Sequence, residues 1–319
     1  MGSRPSDFAL TRPGPLRLYS TAELLALPPP EWLIDPIMPT GALVGLYGEP
    51  WSGKSFVAID MALCVASGLP WHGFETRQGF ALYVSAEGGT GIGKRVLAWL
   101  TYHQLPVAQA HVAWLTESIP IYGDSGNIDQ LLDRINEIEN LPSIVVLDTL
   151  ARCFDGDENQ QEDMGRFIAG VDRLRHEFGA TVIVVHHTRL DATRERGNTA
   201  FRGAADTMIV LEPHQSAHHR KRMTLTCNKQ KDSEDFDPIT LSLKVVPGTD
   251  SCVTVAEGQN QQKRLQILQI LEILRKKGPL TWDQWLRSTR TPETTFKRYV
   301  VDLRENDQII KENGKWRAI

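Results

Sequence analysis

Residues 43–60 read LVGLYGEPWSGKSFVAID, an apolar run followed by a Gly-rich loop and a second segment with apolar periodicity. The loop GEPWSGKS, residues 48–55, matches G-x-x-x-x-G-K-[ST] at every fixed position. Glycine lets such a loop curl until consecutive backbone N–H groups point inward at a phosphate. The following helix adds the positive end of its dipole. We therefore expect a strand, a phosphate-binding loop and a helix at this point in the chain.

The loop predicts binding of ATP or GTP together with Mg²⁺. Lys54 is expected to reach the β- and γ-phosphates, and the Ser55 hydroxyl is expected to ligate Mg²⁺. The remaining predicted nucleotide-binding residues are Gly48, Glu49, Pro50, Trp51, Ser52, Gly53 and Phe56. The alternative is a chance Gly-rich turn between a strand and a helix, which would make the full motif match accidental.

The composition is that of an ordinary globular protein of 319 residues, with 41% hydrophobic and 23% charged residues. No apolar run approaches the roughly eighteen residues of a membrane span. The first residues lack the profile of a signal peptide. We therefore expect a cytoplasmic protein with no membrane partner, and four widely spaced cysteines favour reduced thiols.

The charge is unevenly distributed along the chain. Residues 260–319 carry thirteen Lys and Arg against seven Asp and Glu, a net charge of +6. Because the whole chain carries −4, the remainder carries −10. A basic tail on an acidic body suggests that the tail meets an anionic partner, although a solvated helical face gives the same count.

From Gly41 onward short apolar strands alternate with amphipathic helices. The strands are FALYVSA (80–86), HVAWLT (111–116), SIVVLD (143–148) and ATVIVVHH (180–187). This pattern indicates an α/β fold, with a mostly parallel sheet covered by helices on both faces. After Asp206 the segments TMIVLE, RMTLTCNKQ, ITLSLKVV and CVTV follow closely, which predicts an antiparallel extension at the sheet edge.

Composition divides the chain into four parts. An N-terminal arm with a short helix (1–30) precedes the nucleotide-binding domain (31–257), and a polar linker (258–262) leads to a C-terminal domain (263–319). That last domain contains three helical segments and a hairpin turned at Asn313-Gly314, the pattern of a winged helix-turn-helix.

In a winged helix-turn-helix the third helix can enter a DNA groove. Lys297 and Arg298, in the middle of the third helical segment, are therefore candidate DNA contacts. A small protein-docking domain of the same shape is the alternative, since shape alone does not establish base readout.

Acidic and imidazole side chains end the apolar strands, where open α/β sheets bind ligands. Asp148, at the end of SIVVLD, is a candidate for holding Mg²⁺ through water, with a helix-capping role as the alternative. Glu87, one strand earlier, could orient and deprotonate an attacking water, or could be a surface acid on a tight turn. His186 and His187 end the next strand. We prefer His187 as a γ-phosphate sensor, while a structural role remains open for at least one of them.

Cations cluster in two further places. The loop TRLDATRERGNTAFRGA (188–204) is long for a mere connector, and it could present cations to a phosphate backbone. Its arginines are Arg189, Arg194, Arg196 and Arg202. Lys229 and Lys231 end an edge strand and could reach a nucleotide bound by an adjacent subunit. A solvated edge whose lysines block strand pairing explains them equally well.

The motifs GEPWSGKS, YVSAEGG, VVLDTLARCFDGDEN, VVHHT and FRGAAD occur in this order. Over about residues 30–255 the chain thereby resembles the RecA-like P-loop ATPases of the plasmid RepA hexameric helicase type. The resemblance implies a RecA-like core that assembles into a ring, usually hexameric, with ATP at the subunit interfaces. Single-stranded DNA would occupy the ring.

By similarity, Lys54 and Ser55 match the phosphate-loop residues and Asp148 the Mg²⁺ aspartate. Glu87 matches the catalytic glutamate and His187 the phosphate sensor. The 188–204 loop corresponds to the DNA-facing loop of the pore. These correspondences are what the resemblance implies about the site.

The cation that a neighbouring subunit contributes to the site has no clear counterpart. The expected strand, DTMIVLE, carries no arginine. Lys229 and Lys231 are the nearest substitutes, and Arg202 is a further candidate. This departure from the family pattern bears on both hydrolysis and assembly.

Two functions follow from these observations. The first is a hexameric replicative DNA helicase of a plasmid, phage or mobile element, with duplex DNA or a replication protein at the C-terminal domain. The second is an ATP-switched regulator or helicase loader without strand separation, which the acidic body and the missing arginine favour. A metabolic kinase is disfavoured, because the Glu87 strand tip and the HHT strand point to water as the phosphoryl acceptor.

Overall fold

The computed structural model describes residues 18–85, 89–121, 126–158, 160–187, 199–214, 221–289, 291–306 and 308–319. The chain divides into two compact units. The larger unit runs to residue 255 apart from residues 72–75, which group with the C-terminal unit, residues 256–319. Within the described residues, no helix is both long enough and apolar enough to cross a membrane.

The chain up to Glu257 contains seven helices and eleven strands among its described residues, together with a 3₁₀ helix at Val107–Gln109. The helices are α1 (Thr21–Leu25), α2 (Lys54–Ser67), α3 (Gly89–His103), α4 (Gly126–Asn136), α5 (Leu150–Cys153), α6 (Gln161–Phe178) and α7 (Thr199–Ala204). The strands are β1 (Trp32–Ile34), β2 (Met38–Pro39), β3 (Leu43–Gly48), β4 (Phe80–Ser85), β5 (Val112–Leu115), β6 (Pro142–Asp148), β7 (Thr181–His187), β8 (Thr207–Pro213), β9 (Arg222–Gln230), β10 (Ile239–Val246) and β11 (Ser251–Glu257).

Nine of these strands form one sheet in the order β11-β10-β9-β8-β3-β7-β6-β4-β5. The six strands from β8 to β5 are parallel to their neighbours, whereas β9 is antiparallel to both β8 and β10. This confirms the predicted α/β fold class, a mostly parallel sheet with antiparallel edge strands. One detail differs. TMIVLE, in β8, is parallel to β3, because the crossover through α7 returns the chain in the same direction, and the antiparallel part begins at β9.

Different sets of side chains cover the two faces of the sheet. On one face, alternate strand residues such as Leu82, Val145 and Val182 pack in one cluster with Phe167 and Leu174 of α6. The opposite face contacts α2, which lies against β3, β4, β6 and β7. Because side chains alternate along a strand, odd and even positions of each strand face different helices.

A buried carboxylate links three elements of the larger unit. Asp60, in α2, accepts hydrogen bonds from the indole Nε1 atoms of Trp71 (2.9 Å) and Trp99 of α3 (2.6 Å). The hydroxyl of Thr254, in β11, also donates to Asp60 at 2.5 Å. A buried carboxylate requires such donors, because it would otherwise lose its hydration without replacement.

The C-terminal unit contains α8 (Gln259–Lys277), α9 (Trp282–Ser288), α10 (Glu293–Glu305), β12 (Ile309–Glu312) and β13 (Lys315–Ala318). Its own core includes Trp285, Phe296, Leu303 and Trp316. Thr281 begins α9 with a capping box. Leu280 and Trp316 exchange backbone hydrogen bonds of 2.9 and 2.7 Å, which adds a short third strand segment to the β12–β13 hairpin.

The polar linker predicted at residues 258–262 is not formed, because α8 begins at Gln259. Gly258, at φ 110°, alone precedes the helix at this boundary. The segment after it contains neither Gly nor Pro, so nothing in its backbone chemistry stops a helix. Polar composition suggested a linker, but the first turn of a solvated helix has the same composition.

Candidate functional site

Two glycines shape the loop between β3 and α2. Gly53 adopts φ 104°, a left-handed conformation that favours glycine, and a Cβ there would lie 2.9 Å from Sδ of Met223. At Gly48 a Cβ would lie 2.3 Å from the backbone oxygen of Leu211 in β8. A side chain at Gly53 would be strained by this backbone conformation, and one at Gly48 would clash with the backbone of β8, so both fixed glycines of the motif have a structural reason here.

Lys54 turns its ammonium group into the loop. Its side chain is almost fully enclosed, since the residue is only 3% exposed. Nζ donates hydrogen bonds of 2.8 Å and 2.7 Å to the backbone oxygens of Gly48 and Glu49. Nζ also lies 3.5 Å from Oγ of Ser52. A buried cation therefore sits among the acceptors of the loop itself.

Three other residues of the loop segment differ in their exposure. Ser55, in the first turn of α2, is half-buried. Trp51 is 86% exposed and adopts φ 67°, an unusual left-handed conformation for a bulky residue. The guanidinium of Arg95, in α3, lies 4.6 Å from the centroid of the Phe56 ring. Sequence reasoning did not identify Arg95, which follows no motif.

Asp148 ends β6 as predicted and is buried. The hydroxyl of Tyr83 donates a 2.6 Å hydrogen bond to Oδ2 of Asp148. Because β4 and β6 are neighbours, Tyr83 lies opposite Val146, two residues before the aspartate. Tyr83 orients the carboxylate, and sequence reasoning missed it. The one available signal was a hydroxyl-bearing residue within the apolar strand FALYVSA.

The oxygen donors of Ser55 and Asp148 fit Mg²⁺, a hard cation that prefers carboxylate, hydroxyl and water oxygens. Among the described residues, no group of three or more His, Cys, Asp or Glu side chains could hold a metal ion. Mg²⁺ commonly keeps several waters and binds through one or two protein oxygens together with substrate phosphates. The donor set is therefore that of a nucleotide-dependent Mg²⁺ site and not of a cage formed by the protein alone.

Strand β7 lies between β3, which leads into the phosphate loop, and β6, which ends in Asp148. His187 pairs in register with Gly48. Val184 of β7 and Leu147 of β6 belong to the cluster on the α6 face, so alternation puts His187 and Asp148 on the opposite face, with α2. His187, the preferred sensor candidate, thus shares a face with Asp148 and the helix of the phosphate loop.

His186 is buried, whereas His187 is exposed. Burial, with smaller contributions from His187 and Lys54, lowers the pKa of His186 to about 4 from its ordinary value of 6.5. Its Nε2 lies 3.8 Å from a carboxylate oxygen of Glu158, whose own pKa is raised by burial. Because the imidazole is neutral at pH 7, this contact is not an ion pair. His186 is a buried neutral histidine near Lys54.

Several predicted site residues lie outside the described part of the chain. These are Glu87, Arg189, Arg194 and Arg196. The roles predicted for them, catalysis for Glu87 and DNA contact for the arginines, stay predictions. Arg202, in α7, is described and exposed.

Lys229 and Lys231 lie at the amino-terminal edge of the parallel strands, opposite the edge that carries the phosphate loop. Lys229 pairs with Met208, near the start of β8. Its Nζ donates to the backbone oxygens of Arg202 (2.7 Å), Gly203 (3.1 Å) and Ala205 (2.5 Å), at the end of α7. Lys229 therefore caps a helix within its own chain.

Lys231 makes a weaker contact at the same edge. Its Nζ lies 3.5 Å from Oδ1 of Asp206, and its side chain is 60% exposed. Asp206 also accepts 2.8 Å and 2.9 Å hydrogen bonds from Arg175 and the backbone N–H of Leu43. Asp206 would therefore keep its hydrogen bonds with Arg175 and Leu43 if Lys231 were replaced.

A protein-family model described as an AAA domain matches residues 15–193, more than half of the chain. The chain belongs to this AAA-domain family. The match spans the phosphate loop, Asp148 and both histidines, and it ends before Arg202 and Lys229. Together with the loop geometry and the sheet order, membership makes the protein a RecA-like P-loop ATPase, for which ATP and Mg²⁺ are the general ligands.

Among solved structures, a KaiC-like protein from the hyperthermophilic archaeon Pyrococcus horikoshii is similar to this chain. The two are 15% identical, with 71% of this chain and 94% of that one covered and a TM-score of 0.47.

Proposed function

We propose that this ATPase is the motor of a ring-forming, hexameric replicative DNA helicase of a plasmid, phage or mobile element, moving on single-stranded DNA. The observation that carries the proposal is the position of β7. This strand lies between the phosphate-loop strand and the Asp148 strand and ends in His187 on the face of α2. The chain then continues directly into the segment with Arg189, Arg194 and Arg196.

In the proposed reaction, water attacks the γ-phosphorus of ATP, the bond to the β–γ bridging oxygen breaks, and ADP and phosphate leave. Lys54 would exchange the loop carbonyls that it now contacts for phosphate oxygens and offset their charge. Ser55 and Asp148 would hold Mg²⁺, which when bound neutralises charge on the β- and γ-phosphates. Glu87 would accept the proton of the attacking water.

Coupling to DNA would begin at His187. An exposed imidazole at the end of β7 could donate to a γ-phosphate oxygen and lose that partner when phosphate departs. Because the residues that follow carry the arginines, a shift of the β7 end would move cations that grip a phosphate backbone. His186 anchors the same strand end as a buried neutral group, so movement would be confined to the residues after it.

A ring would bring the amino-terminal strand edge of one subunit to the nucleotide of the next. Of the three candidate cations, Lys229 would have to break three hydrogen bonds to act there. Arg202 and Lys231 are exposed, so they are better placed for a role in the neighbouring site.

The second candidate is an ATP-switched regulator or helicase loader. The observation that favours it is that Lys229 already donates hydrogen bonds to the end of α7 in its own chain. Lys229 is one of the few cations that could replace the missing arginine, and these bonds would have to break first. In this case ATP would control assembly, and strand separation would be absent.

The experiment that separates the two is an ATPase assay without DNA, with single-stranded DNA and with duplex DNA, combined with unwinding of a forked substrate. Lys54→Ala and Glu87→Gln serve as inactive controls. We expect stimulation by single-stranded DNA and ATP-dependent fork unwinding. A protein that assembles and hydrolyses ATP without separating strands would support the switch and contradict the motor.

A further inference from the structure

Helix α10 of the C-terminal unit presents a basic stripe to solvent. Phe296, Val300 and Leu303 are buried in the core of the unit, so the rotation of the helix about its axis is fixed. The exposed stripe on the other side consists of Lys297, Arg298, Val301 and Arg304. Positions four and seven residues after Lys297 lie on the same face of a helix, which makes the stripe continuous.

The charge of this stripe is only partly compensated. Lys297 is 62% exposed, and its contact with Glu293 (3.1 Å) is an exposed i,i+4 pair of the kind that contributes little. Asp302 instead contacts Lys263 of α8 at 2.6 Å, so it does not oppose the stripe. The guanidinium of Arg298 lies 5.7 Å from the centroid of the neighbouring Tyr299 ring, and an aromatic ring does not neutralise a cation.

The rest of the unit is arranged around this helix. A short, capped α9 precedes α10, and the β12–β13 hairpin follows it, held to Leu280 by the backbone pair with Trp316. The hairpin exposes Lys311 and Lys315, while Glu312 is engaged by Arg317. Helix α10 has 13 residues and is about 20 Å long. The major groove of B-DNA is about 12 Å wide, which is wide enough to admit an α-helix.

A protein partner fits this face poorly. The centre of a protein-docking surface is typically apolar or aromatic, with few charges. Among the described residues of α10, Val301 is the one exposed large apolar side chain, at 52%. The aromatic rings of the unit, including Trp282, Trp285 and Phe296, pack against one another. The cationic side chains suit contacts with phosphates, and the methyl groups of the central Val301 suit contact with a thymine methyl group.

We propose that the C-terminal unit is a winged-helix module that binds duplex DNA. Helix α10 lies in the major groove, with Lys297, Arg298 and Arg304 on phosphates and base edges and Val301 against the base edges. The hairpin cations Lys311 and Lys315 contact the adjacent backbone. This inference does not depend on helicase activity, because it concerns residues beyond the ATPase fold.

The test uses the full-length protein without nucleotide. Fluorescence anisotropy compares a labelled duplex with a single strand of the same length over a salt titration. We expect the double variant Lys297→Ala/Arg298→Ala to weaken duplex binding by about tenfold or more. We also expect the log–log salt slope to fall by about two, because two phosphate contacts are removed.

A matched control removes the same charge elsewhere in the unit. Lys276 and Lys277 are exposed in the last turn of α8, a different helix from the one that carries the stripe. Lys276→Ala/Lys277→Ala should change duplex affinity by no more than about twofold. All the substituted side chains are exposed, and far-UV circular dichroism verifies that each variant is folded.

A third variant should act in the opposite direction. Glu293→Gln removes the acid beside Lys297, so duplex binding should tighten by about twofold or more. Equal weakening of duplex binding by the two double variants would overturn the proposal, as would a duplex affinity that Lys297→Ala/Arg298→Ala leaves unchanged. Lys54→Ala should bind duplex as the parent does, which keeps this result separable from any failure of the proposed motor.

Discussion

The two ends of the parallel strands use their cations in opposite ways. At the carboxyl-terminal edge, Lys54 is buried and contacts backbone oxygens of its own loop. At the amino-terminal edge, Lys229 caps α7 and Arg175 contacts Asp206. Each side chain is satisfied, but only the partners at the first edge belong to a loop whose N–H groups are suited to receive phosphate.

The difference teaches how to distinguish a cation of a ligand site from a structural one. A cation that contacts the carbonyls of a phosphate-binding loop can exchange them for phosphate oxygens when a nucleotide binds. A cation that completes a helix terminus leaves unsatisfied carbonyls if it departs. Substitutions at the two edges should therefore affect different properties, hydrolysis at one and stability at the other.

The largest expected effect is at the carboxyl-terminal edge. Lys54→Ala should lower ATP hydrolysis by about a hundredfold or more, because it removes the charge that stabilises the transferring phosphoryl group. Its free energy of unfolding should change by no more than about 1 kcal/mol, because removing a buried cation also removes the cost of its desolvation, which offsets the lost hydrogen bonds. Steady-state ATPase and urea unfolding measure the two quantities. Strong destabilisation with retained hydrolysis would break the comparison.

The second prediction concerns pH and the buried histidine behind the site. The pKa of His186 is lowered to about 4 in the folded protein, against 6.5 ordinarily. The unfolded chain therefore binds a proton first as the pH falls. The neutral, buried His186 contributes its full amount to the free energy of unfolding above pH 6.5. Of this free energy, about 2 kcal/mol is lost at pH 5 and about 3 kcal/mol by pH 4.

Urea unfolding at pH 7 and pH 5 tests this value. His186→Gln should lose about 2 kcal/mol less than the parent between these pH values, because glutamine does not titrate. His187→Gln, at the exposed neighbour, should keep most of the parent's loss, because burial is the largest cause of the lowered pKa of His186 and His187 is a smaller one. The same pH dependence in the parent and in His186→Gln would show that the histidine is not buried neutral.

The third prediction is the converse of the first. Lys229→Met should lower the free energy of unfolding by about 2 kcal/mol, because three carbonyl oxygens at the end of α7 lose their donor. Lys231→Met should cost about 0.5 kcal/mol or less, since its contact is exposed and Asp206 keeps Arg175. If Lys229→Met abolishes hydrolysis by the assembled protein at unchanged stability, Lys229 acts in the neighbouring site.

The smallest expected effect distinguishes the cost of the left-handed backbone at Trp51, in the phosphate loop, from the effect of losing its side chain. Trp51 adopts φ 67° with an exposed indole. Trp51→Gly should be more stable than Trp51→Ala by about 1 kcal/mol, because both remove the indole and only glycine relieves the left-handed conformation. Equal stability of the two variants in urea unfolding would mean that the loop holds Trp51 without strain.

Local chemistry made some features predictable. Hydrophobic periodicity located the strands β4, β6 and β7, and the fixed glycines located the phosphate loop, because both signals come from adjacent residues. The position of Asp148 at a strand end followed from the run SIVVLD. Where local chemistry was ambiguous, as at residues 258–262, the expected linker proved to be the start of α8.

Contacts between distant residues were not predictable. The hydroxyl of Tyr83 meets an aspartate 65 residues away, and Asp60 meets a hydroxyl 194 residues away. These pairs depend on which strands and helices are neighbours. No pattern within a window of the sequence carries that information, so Tyr83, Arg95 and the Asp60 network were missed.

The sequence by itself determined that this chain binds a nucleotide phosphate on an α/β sheet, because loop conformation and strand periodicity are properties of neighbouring residues. Only the tertiary structure decided that β7 separates the phosphate loop from Asp148, and that Lys229 caps α7 while Lys54 remains within the loop. The physical reason is that hydrogen-bond partners across a sheet are set by strand order and register. Those are chosen by packing of the whole core and not by any one segment.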